Sequence, residues 1–561
     1  MRHAFGSLNL RAVGANCETG RVSESPWWQS TTIYQVYPRS YQDSNGDGIG
    51  DLPGIISRLD HIQDLGVETV WVSPFFASPQ LDFGYDVTDY EDVAQEYGTL
   101  EDAQRLIDEC HARGMRVMFD LVLNHTSDQH PWFQRSRSSR TNPKADWYIW
   151  ADGRGKHGRR PPNNWKSAME FTSAWQYSPI RKQWYMCSFL PFQPDLNWRN
   201  PEVKEAMFNS VRFWLDRGVD GFRLDIFGQI MKDAALTNNP VRPRVYNGFP
   251  RLTERVYTEN TADNVQLAKD LRAVCDEYPG DRVLLGEVFG PPSVLKSFLG
   301  DDDGLQLVFL FDFLTYKYDA AWFAQTIQDF DRNFPAPQQP TYVLENHDRS
   351  RTIDRVGGDP AKARVLAVIL LTVRGVPTIY MGQEIGMSNT PLRFKDALDP
   401  IASSVFRRVP QFVADRMSER LNRDEMRTPM QWDASANAGF SPAGVQPWLP
   451  VNPDYVQVNV AQEAAQPSSI LNLYRRLLRV RREHESLRTG SLAVLEALPP
   501  DVLGFRRNDI LVLANLGEQP QTVRHTGEVL VETGQVAVGT GRTTLFPDSA
   551  VVLRTVVPRM S

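Results

Sequence analysis

Acidic residues and histidines stand at the ends of five apolar, strand-like runs of this chain, where they could meet in one site. The segments are FGYD (83–86), FDLVLNH (119–125), GFRLD (221–225), LLGEV (284–288) and VLENHD (343–348). A single acidic residue after a strand is usually a loop residue or a helix cap. Five such segments in order favour a shared site, and paired carboxylates suit the cleavage of a glycosidic bond.

Asp225 and Glu287 are the candidate pair for that chemistry. Cleavage needs one carboxylate to attack or stabilise the anomeric carbon and a second, kept protonated, to give the leaving oxygen a proton. Neighbouring strands lie roughly 4.8 Å apart, and a retaining, double-displacement mechanism needs carboxyls about 5–5.5 Å apart. Positions on neighbouring strand ends are therefore compatible with retention.

Apolar, β-branched runs recur along the chain, and most are separated by helix-patterned stretches. Two of these stretches, 100–114 and 201–218, end in glycine, the expected helix terminator. This alternation predicts a parallel sheet closed as a (β/α)₈ TIM barrel, whose active sites lie at the carboxyl ends of the strands. The eight runs are 31–37, 67–73, 115–122, 219–226, 282–288, 305–313, 341–346 and 376–381.

The composition fits a large enzyme better than a small binding module. With 561 residues, 41% hydrophobic content and 14 Trp, the chain can bury a barrel and further domains. A formal charge of −7 argues against a nucleic-acid-binding surface, which needs a basic patch. No apolar stretch suits a membrane span or a secretory signal. We therefore expect a cytoplasmic monomer or homodimer with a small-molecule substrate and no membrane or nucleic-acid partner.

The predicted alternation of strands and helices is interrupted at three places, which indicates additional domains. The segment 125–197 is too long for an ordinary loop and should form a small inserted domain after the third strand. A second irregular insertion covers about 386–467, and 491–561 has the short alternating runs of a C-terminal antiparallel β-sandwich domain. These assignments leave 27–124 and 198–490 for the barrel and 1–26 as a loosely ordered extension.

Four motifs together carry a family resemblance. DLVLNH (120–125), GFRLD (221–225), GEV (286–288) and ENHD (345–348) resemble the signature regions of the α-amylase superfamily, glycoside hydrolase family 13. The likeness extends from about Trp27 to the C-terminus.

Three further segments narrow the resemblance to one branch. WWQSTTIYQVYPRSYQDSNGDGIGDL (27–52), QPDLNW (193–198) and RTPMQWD (427–433) are similar to the oligo-1,6-glucosidases and α-glucosidases rather than to starch-degrading endo-amylases. The resemblance implies hydrolysis of short α-glucosides from the non-reducing end through a covalent glucosyl-enzyme, with no cofactor for catalysis.

The resemblance also assigns catalytic roles. Asp225 matches the nucleophile, Glu287 the general acid/base, and Asp348 the third carboxylate, which holds sugar hydroxyls and favours a distorted ring. Arg223 lies two residues before Asp225 and so on the same face of the strand. It matches the arginine that keeps the nucleophile ionised, since an adjacent cation lowers a carboxylate pKa.

Further residues match the family's sugar-binding positions. His125 and His347 match histidines that hydrogen-bond the glucose, and Tyr85 matches the aromatic side chain that stacks on it. Phe189 and Gln193 resemble inserted-domain residues that reach the bound sugar. The preceding SAMEFTSAW (167–175) departs from the glycine-rich pattern of the family.

Three other residues bear on specificity. Asp86 and Arg351 correspond to a charged pair that closes the pocket over the terminal glucose in exo-acting glucosidases. Ile226 follows the nucleophile, and a β-branched valine there accompanies α-1,6 activity in this branch. We therefore expect a closed pocket and measurable isomaltose hydrolysis.

The segment DSNGDGIGD (43–51) presents oxygen donors at alternate positions, as hard cations require. It departs from an EF-hand, because its twelfth position is Gly54 instead of glutamate. It resembles the calcium loop of the glucosidase branch, which implies one structural Ca²⁺ (or Mg²⁺). The expected ligands are Asp43, Asn45, Asp47, the Ile49 carbonyl and Asp51.

Three functions remain open at this point. The first is a retaining exo-α-glucosidase. The second is a transglucosidase or isomerase with the same machinery, such as a trehalose synthase or sucrose isomerase. The third is a barrel without catalytic activity that serves as a binding or scaffold subunit.

Overall fold

A closed barrel of eight parallel strands forms the centre of the computed structural model, which describes residues 25–168, 172–246, 249–400, 402 and 422–555. Each strand pairs with its neighbour in sequence, and the eighth pairs with the first. The predicted (β/α)₈ barrel is confirmed. The strands are β1 (Ile33–Val36), β2 (Thr69–Val72), β3 (Arg116–Leu121), β4 (Gly221–Leu224), β5 (Val283–Gly286), β6 (Leu307–Leu310), β7 (Thr341–Val343) and β8 (Val376–Tyr380).

Helices surround the barrel where the apolar spacing predicts them. The helix Leu100–Ala112 has Thr99 as its N-cap. The Thr99 side chain accepts from the Asp102 N–H and the Asp102 side chain accepts from the Thr99 N–H, so the two residues form a capping box. This helix ends before Gly114, whose φ of 73° is left-handed. The described helices are α1 (Leu52–Ser57), α2 (Leu59–Leu65), α3 (Leu100–Ala112), α4 (Pro131–Ser138), α5 (Pro201–Asp216), α6 (Ala262–Cys275), α7 (Pro292–Leu299), α8 (Ala320–Asn333), α9 (Thr352–Arg355), α10 (Pro360–Thr372), α11 (Val460–Ala465), α12 (Ile470–Glu483) and α13 (Glu485–Arg488). No helix in these ranges is long and apolar enough to cross a membrane.

The barrel interior changes from apolar to polar along several strands, and this change places the site. Ile33, Trp71 and Met118 belong to a buried cluster to which seven of the eight strands contribute. Because alternate residues of a strand share a face, Asp120 follows Met118 on that inner face. The carboxyl ends of the strands therefore line a polar opening above an apolar core.

Smaller sheets lie outside the barrel. Within 125–197 a three-stranded sheet forms from Trp150–Ala151, Gln183–Met186 and Trp175–Ser178. A separate two-stranded sheet, which the sequence patterns did not predict, pairs Val241–Tyr246 with Phe249–Thr253. The C-terminal region has a five-stranded and a three-stranded sheet, and one apolar cluster joins them, as expected of a sandwich. Their strands are β9 (Ala493–Val494), β10 (Val502–Arg507), β11 (Ile510–Asn515), β12 (Gln521–Val523), β13 (Glu528–Thr533), β14 (Val536–Gly539), β15 (Arg542–Leu545) and β16 (Ser549–Arg554). Most of the proposed extension, residues 1–24, lies outside the described residues.

Candidate active site

One buried guanidinium, that of Arg223 on β4, holds three carboxylates together at the carboxyl end of the barrel. Its Nη1 donates to Asp225 Oδ1 at 2.9 Å and to Asp120 Oδ1 at 2.8 Å. Its Nη2 donates to Glu287 Oε2 at 2.5 Å. Only 3% of Arg223 is exposed, so solvent ions screen these contacts little. The structure thus brings together Asp225, Glu287 and Arg223, and adds Asp120 to them.

Backbone hydrogen bonds continue the barrel ladder one residue beyond β4 and β5 and so fix the two central carboxylates. The Asp225 N–H donates to the Leu121 carbonyl, and the Glu287 N–H donates to the Leu224 carbonyl. Gly286, the last residue of β5, lies opposite Leu224. The two carboxylates therefore project from adjacent positions at the rim of the barrel.

Three carboxyls share a single positive charge in this cluster. Burial raises the pKa of Asp225 well above its ordinary value, Arg223 opposes this shift, and Glu287 and Asp120 add to it. Burial also raises the pKa of Asp120 to about 6, again against Arg223. The excess of negative groups favours retention of a proton within the cluster. On Asp225, burial and two further carboxylates thus outweigh Arg223, contrary to the expectation that this arginine keeps the carboxylate ionised. Asp225 can attack only when the shared proton lies on a neighbouring carboxyl, and a proton on Glu287 would serve the acid step of glycosidic cleavage.

Asp348 lies in the loop after β7 and contacts two arginines from the insertion that follows β8. Arg427 Nη2 donates to Asp348 Oδ1 at 2.7 Å, and Arg423 Nη1 donates to the same oxygen at 3.0 Å. Burial alone would raise the pKa of Asp348, but His347 and the two arginines hold it well below its ordinary value. Asp348 is therefore an ionised carboxylate.

The predicted pair of Asp86 with Arg351 is wrong. The Asp86 carboxylate is fully buried and accepts from the Ser78 hydroxyl and from the Leu81 and Asp82 N–H groups, each at 3.0 Å. With no cation among these partners, burial raises the pKa of Asp86 to about 7. Asp86 shapes the turn at 78–86 rather than the rim of the pocket.

The contacts of Arg351 are likewise with groups other than Asp86. Its Nη1 donates to Glu345 Oε1 at 3.2 Å and to the Met381 carbonyl at 2.6 Å, and its Nη2 donates to the Met426 carbonyl at 3.1 Å. The side chain is fully buried and lies over the Tyr380 ring. Arg351 therefore joins the loop after β7 to β8 and the insertion.

Asp82 and Arg423 form a charged pair of the kind that the sequence assigned to Asp86 and Arg351. Asp82 Oδ1 accepts from Arg423 Nη2 at 3.3 Å, and Arg423 also contacts Asp348. The pair therefore adjoins Asp348. The sequence analysis missed Arg423, which lies in the predicted insertion just before RTPMQWD (427–433), because nothing in that segment shows which arginine reaches the barrel.

The predicted sugar-binding side chains surround Tyr85. The Tyr85 hydroxyl lies 2.6 Å from His347 Nε2, and the two rings stack. The Tyr85 carbonyl is 3.0 Å from His125 Nε2 and 3.5 Å from Gln193 Nε2. The Phe189 ring packs against His125 with 5.7 Å between centroids. Burial lowers the pKa of His125 to about 4 and that of His347 to about 3, so both rings are neutral at pH 7.

Gln193 has a second contact that the sequence did not predict. Its Nε2 donates to Asp82 Oδ2 at 2.8 Å, and its Oε1 accepts from the Leu190 N–H at 3.1 Å. Gln193 thus orients the carboxylate of the Asp82–Arg423 pair. A direct contact of Gln193 or Phe189 with the sugar stays a prediction.

Ile226 adopts left-handed backbone angles, φ 39° and ψ 41°. Such angles are unfavourable for a β-branched residue and are typical of functional sites. The Ile226 N–H donates to Glu287 Oε2 at 3.1 Å, and the side chain is 7% exposed. The residue after Asp225 thus contacts Glu287 directly.

The loop 43–51 is closed by hydrogen bonds between its own side chains and backbone. Asp43 accepts from the Gly46 and Gly48 N–H groups, and Asp51 accepts from those of Ser44 and Gly54. No three acidic, histidine or cysteine side chains gather as metal ligands within the described ranges. The oxygen donors suit Ca²⁺ chemically, but the carboxylates of Asp43, Asp47 and Asp51 do not form such a group. The cation stays a prediction, and no catalytic step depends on it.

Known proteins are similar to this chain over most of its length. Residues 35–490 match the model of the α-amylase catalytic domain. A probable alpha-glucosidase of Rhizobium meliloti is 41% identical over 88% of this chain and 90% of its own length, and an oligo-1,6-glucosidase of Parageobacillus thermoglucosidasius is 36% identical over 92% and 95%.

Solved structures are similar over a comparable part of the chain. The alpha-glucosyl transfer enzyme XgtA superposes with a TM-score of 0.85 at 38% identity, over 95% of this chain and all of that one. The trehalulose synthase MutB of Pseudomonas mesoacidophila superposes with a TM-score of 0.84 at 35% identity, also over 95% and 100%.

Proposed function

This chain belongs to the α-amylase family, and from that premise we propose that it is a retaining α-glucosidase that removes glucose from the non-reducing end of short α-glucosides. The observation that carries the proposal is the contact of one guanidinium, Arg223, with both Asp225 and Glu287. Two carboxylates held by the two terminal nitrogens of one guanidinium have a separation compatible with double displacement.

The proposed reaction has two steps on these residues. Asp225 attacks the anomeric carbon while Glu287 protonates the leaving oxygen, and the glucosyl-enzyme ester forms. Glu287 then takes a proton from water, which attacks from the opposite face and releases glucose with its configuration retained. Asp348 is ionised and holds sugar hydroxyls, and the Asp82–Arg423 pair closes the pocket behind the terminal glucose.

A transglucosidase or isomerase is the second candidate, because the solved relatives include a glucosyl transfer enzyme and a trehalulose synthase. It shares the covalent intermediate and differs only in whether a sugar hydroxyl or water attacks. The non-catalytic alternative is disfavoured, since a binding barrel has no need for three carboxylates on a buried guanidinium.

A time course with single substrates tests the proposal. Maltose, isomaltose, sucrose, trehalose, kojibiose, nigerose and p-nitrophenyl α-glucoside are incubated with the enzyme, and products are resolved. Early release of both monosaccharides of each disaccharide, with the non-reducing glucose as the α-anomer, supports the hydrolase. Transfer releases only the leaving sugar and gives new oligosaccharides, whereas isomerisation gives a new disaccharide. Either product pattern supports the second candidate, and cleavage of internal starch bonds would contradict the closed pocket.

The Asp82–Arg423 pair gives the first variant prediction. Asp82→Asn should lower kcat/KM for maltose and isomaltose roughly 10–100-fold, the value of a hydrogen bond to a charged group. Asp89→Asn, a change in the exposed part of the same segment, is the matched control. Steady-state kinetics that leave Asp82→Asn within twofold of this control would show that the pair does not bind the glucose.

Ile226 gives a prediction about linkage. Its side chain lies beside the proposed nucleophile and narrows the space for the second sugar of the substrate. An α-1,6 bond has an extra rotatable carbon, so the second sugar can turn away from this side chain, whereas an α-1,4 bond holds it close. Such a steric effect amounts to ~1–3 kcal/mol. Ile226→Thr should therefore raise the maltose-to-isomaltose ratio of kcat/KM, and Ile226→Val is the conservative control. An unchanged ratio would place linkage selection elsewhere.

A further inference from the structure

A buried ammonium group, that of Lys232, lies outside the carboxylate cluster. Its Nζ is 2.6 Å from Asp195 Oδ2 and donates to Asn124 Oδ1 at 2.5 Å. Only 4% of the residue is exposed. A buried ion pair is weak evidence for stability, because desolvation of both charges is costly. Its position beside Asn124, the neighbour of His125, points to a functional reason.

The ammonium determines which way the Asn124 amide faces. Lysine nitrogen only donates hydrogen bonds, so the Asn124 atom next to it must be the carbonyl oxygen. The amide nitrogen then faces His125 Nδ1 at 3.0 Å and Asp195 Oδ1 at 3.2 Å. An amide NH₂ can only donate, so His125 Nδ1 must be the unprotonated ring nitrogen.

The other side of the His125 ring agrees independently. Nε2 lies 3.0 Å from the backbone carbonyl of Tyr85, which can only accept. Nε2 must therefore carry a proton. Burial lowers the pKa of His125, and nearby Lys232 adds to that effect, so the ring is neutral and has this one proton.

We propose that Lys232 is a positioning residue that, through Asn124, fixes His125 as the tautomer with its proton on Nε2. The consequence for catalysis rests on the proposed function. The Nε2–H group is then the one hydrogen-bond donor of the His125 ring. It faces the Tyr85 carbonyl and can donate to a glucose hydroxyl instead when the sugar binds. The alternative is that Lys232 only neutralises Asp195, which accepts from Ser188 as well.

The tautomer can be measured in the native enzyme without reference to activity. In protein labelled with ¹⁵N-histidine, protonated and unprotonated ring nitrogens have well separated chemical shifts, and His125→Gln assigns the His125 signals among the nine histidines. We expect a proton on Nε2 and none on Nδ1 between pH 6 and pH 8. A proton on Nδ1, or a mixture of tautomers, would overturn the proposal.

Lys232→Met tests whether the ammonium is the cause. We expect mixed tautomers at His125 and a loss of roughly 10–100-fold in kcat/KM, as for other supporting residues of a site. Lys204→Met is the matched control, because it removes the same group from a half-exposed pair with Asp270. An Nε2 proton that persists in Lys232→Met, with kcat/KM within twofold of the control, would overturn the proposal.

A second variant covers the case in which Lys232→Met does not fold, and turnover of the native enzyme separates this proposal from the glucosidase proposal. If Lys232→Met does not fold because Asp195 loses its counter-ion, Asn124→Ala removes the donor to His125 and keeps the ion pair. Mixed tautomers in that variant support the proposal, and an unchanged ring overturns it. Failure of the glucosidase proposal would appear instead as a native enzyme without turnover, whatever its tautomer.

Discussion

Asp225→Asn should abolish turnover of every α-glucoside while leaving the barrel folded and able to bind sugar. The amide has the same shape and can still accept from Arg223 Nη1, but it cannot form the glucosyl ester that double displacement requires. The loss of kcat should be several orders of magnitude. Residual turnover above about a tenth, a change of only ~1.4 kcal/mol in the barrier, would show that Asp225 is not the nucleophile.

Chemical rescue sharpens this test. Asp225→Ala opens a cavity on the face from which the carboxylate attacks, and azide can enter it. With an activated aryl α-glucoside the product should be β-glucosyl azide, because azide attacks the anomeric carbon directly and inverts it. An α-glucosyl azide from this variant would contradict the assigned face, and Asp89→Ala, with an intact nucleophile, should give neither azide.

The positions of the central carboxylates could be predicted from sequence because barrel geometry is restrictive. Asp225 and Glu287 each follow an apolar run, and successive strands of a barrel are neighbours in space. The register of β4 with β5 then leaves little freedom. The arginine two residues before Asp225 had to share its face of the strand.

The charged pair at the rim could not be predicted in the same way. Asp82 and Asp86 lie in one turn, and two consecutive left-handed residues, Phe83 and Gly84, separate Asp82 from Tyr85. Counting along the chain therefore cannot show which carboxylate faces the pocket. The turn uses Asp86 internally and leaves Asp82 for a cation.

The arginine partner was misplaced for a different reason. Arg423 follows β8 by more than forty residues and begins a single 3₁₀ turn, Arg423–Met426, which is too short for a sequence period to relate its side chain to the barrel. The family resemblance assigned the partner role to Arg351, in the loop after β7. Local spacing is informative only while secondary structure fixes the direction of the side chains.

Glu287→Gln should separate the two steps of the reaction by their dependence on the leaving group. The side-chain oxygen can still accept from Arg223 and the Ile226 N–H, so the local structure should persist. On maltose, kcat/KM should fall roughly 10²–10⁴-fold, because the poor leaving group needs a proton. On an activated aryl α-glucoside the first step should be much less affected.

The second step then becomes limiting in Glu287→Gln, since no base assists the attacking water. The glucosyl-enzyme should accumulate as a burst of aryl alcohol. Azide needs no base, so it should restore turnover and give α-glucosyl azide, the opposite anomer to that expected from Asp225→Ala. The same anomer from both variants would mean that the two carboxylates do not act on opposite faces of the sugar, and the retaining assignment would fail. Equal losses on maltose and the aryl glucoside would show instead that Glu287 is not the acid.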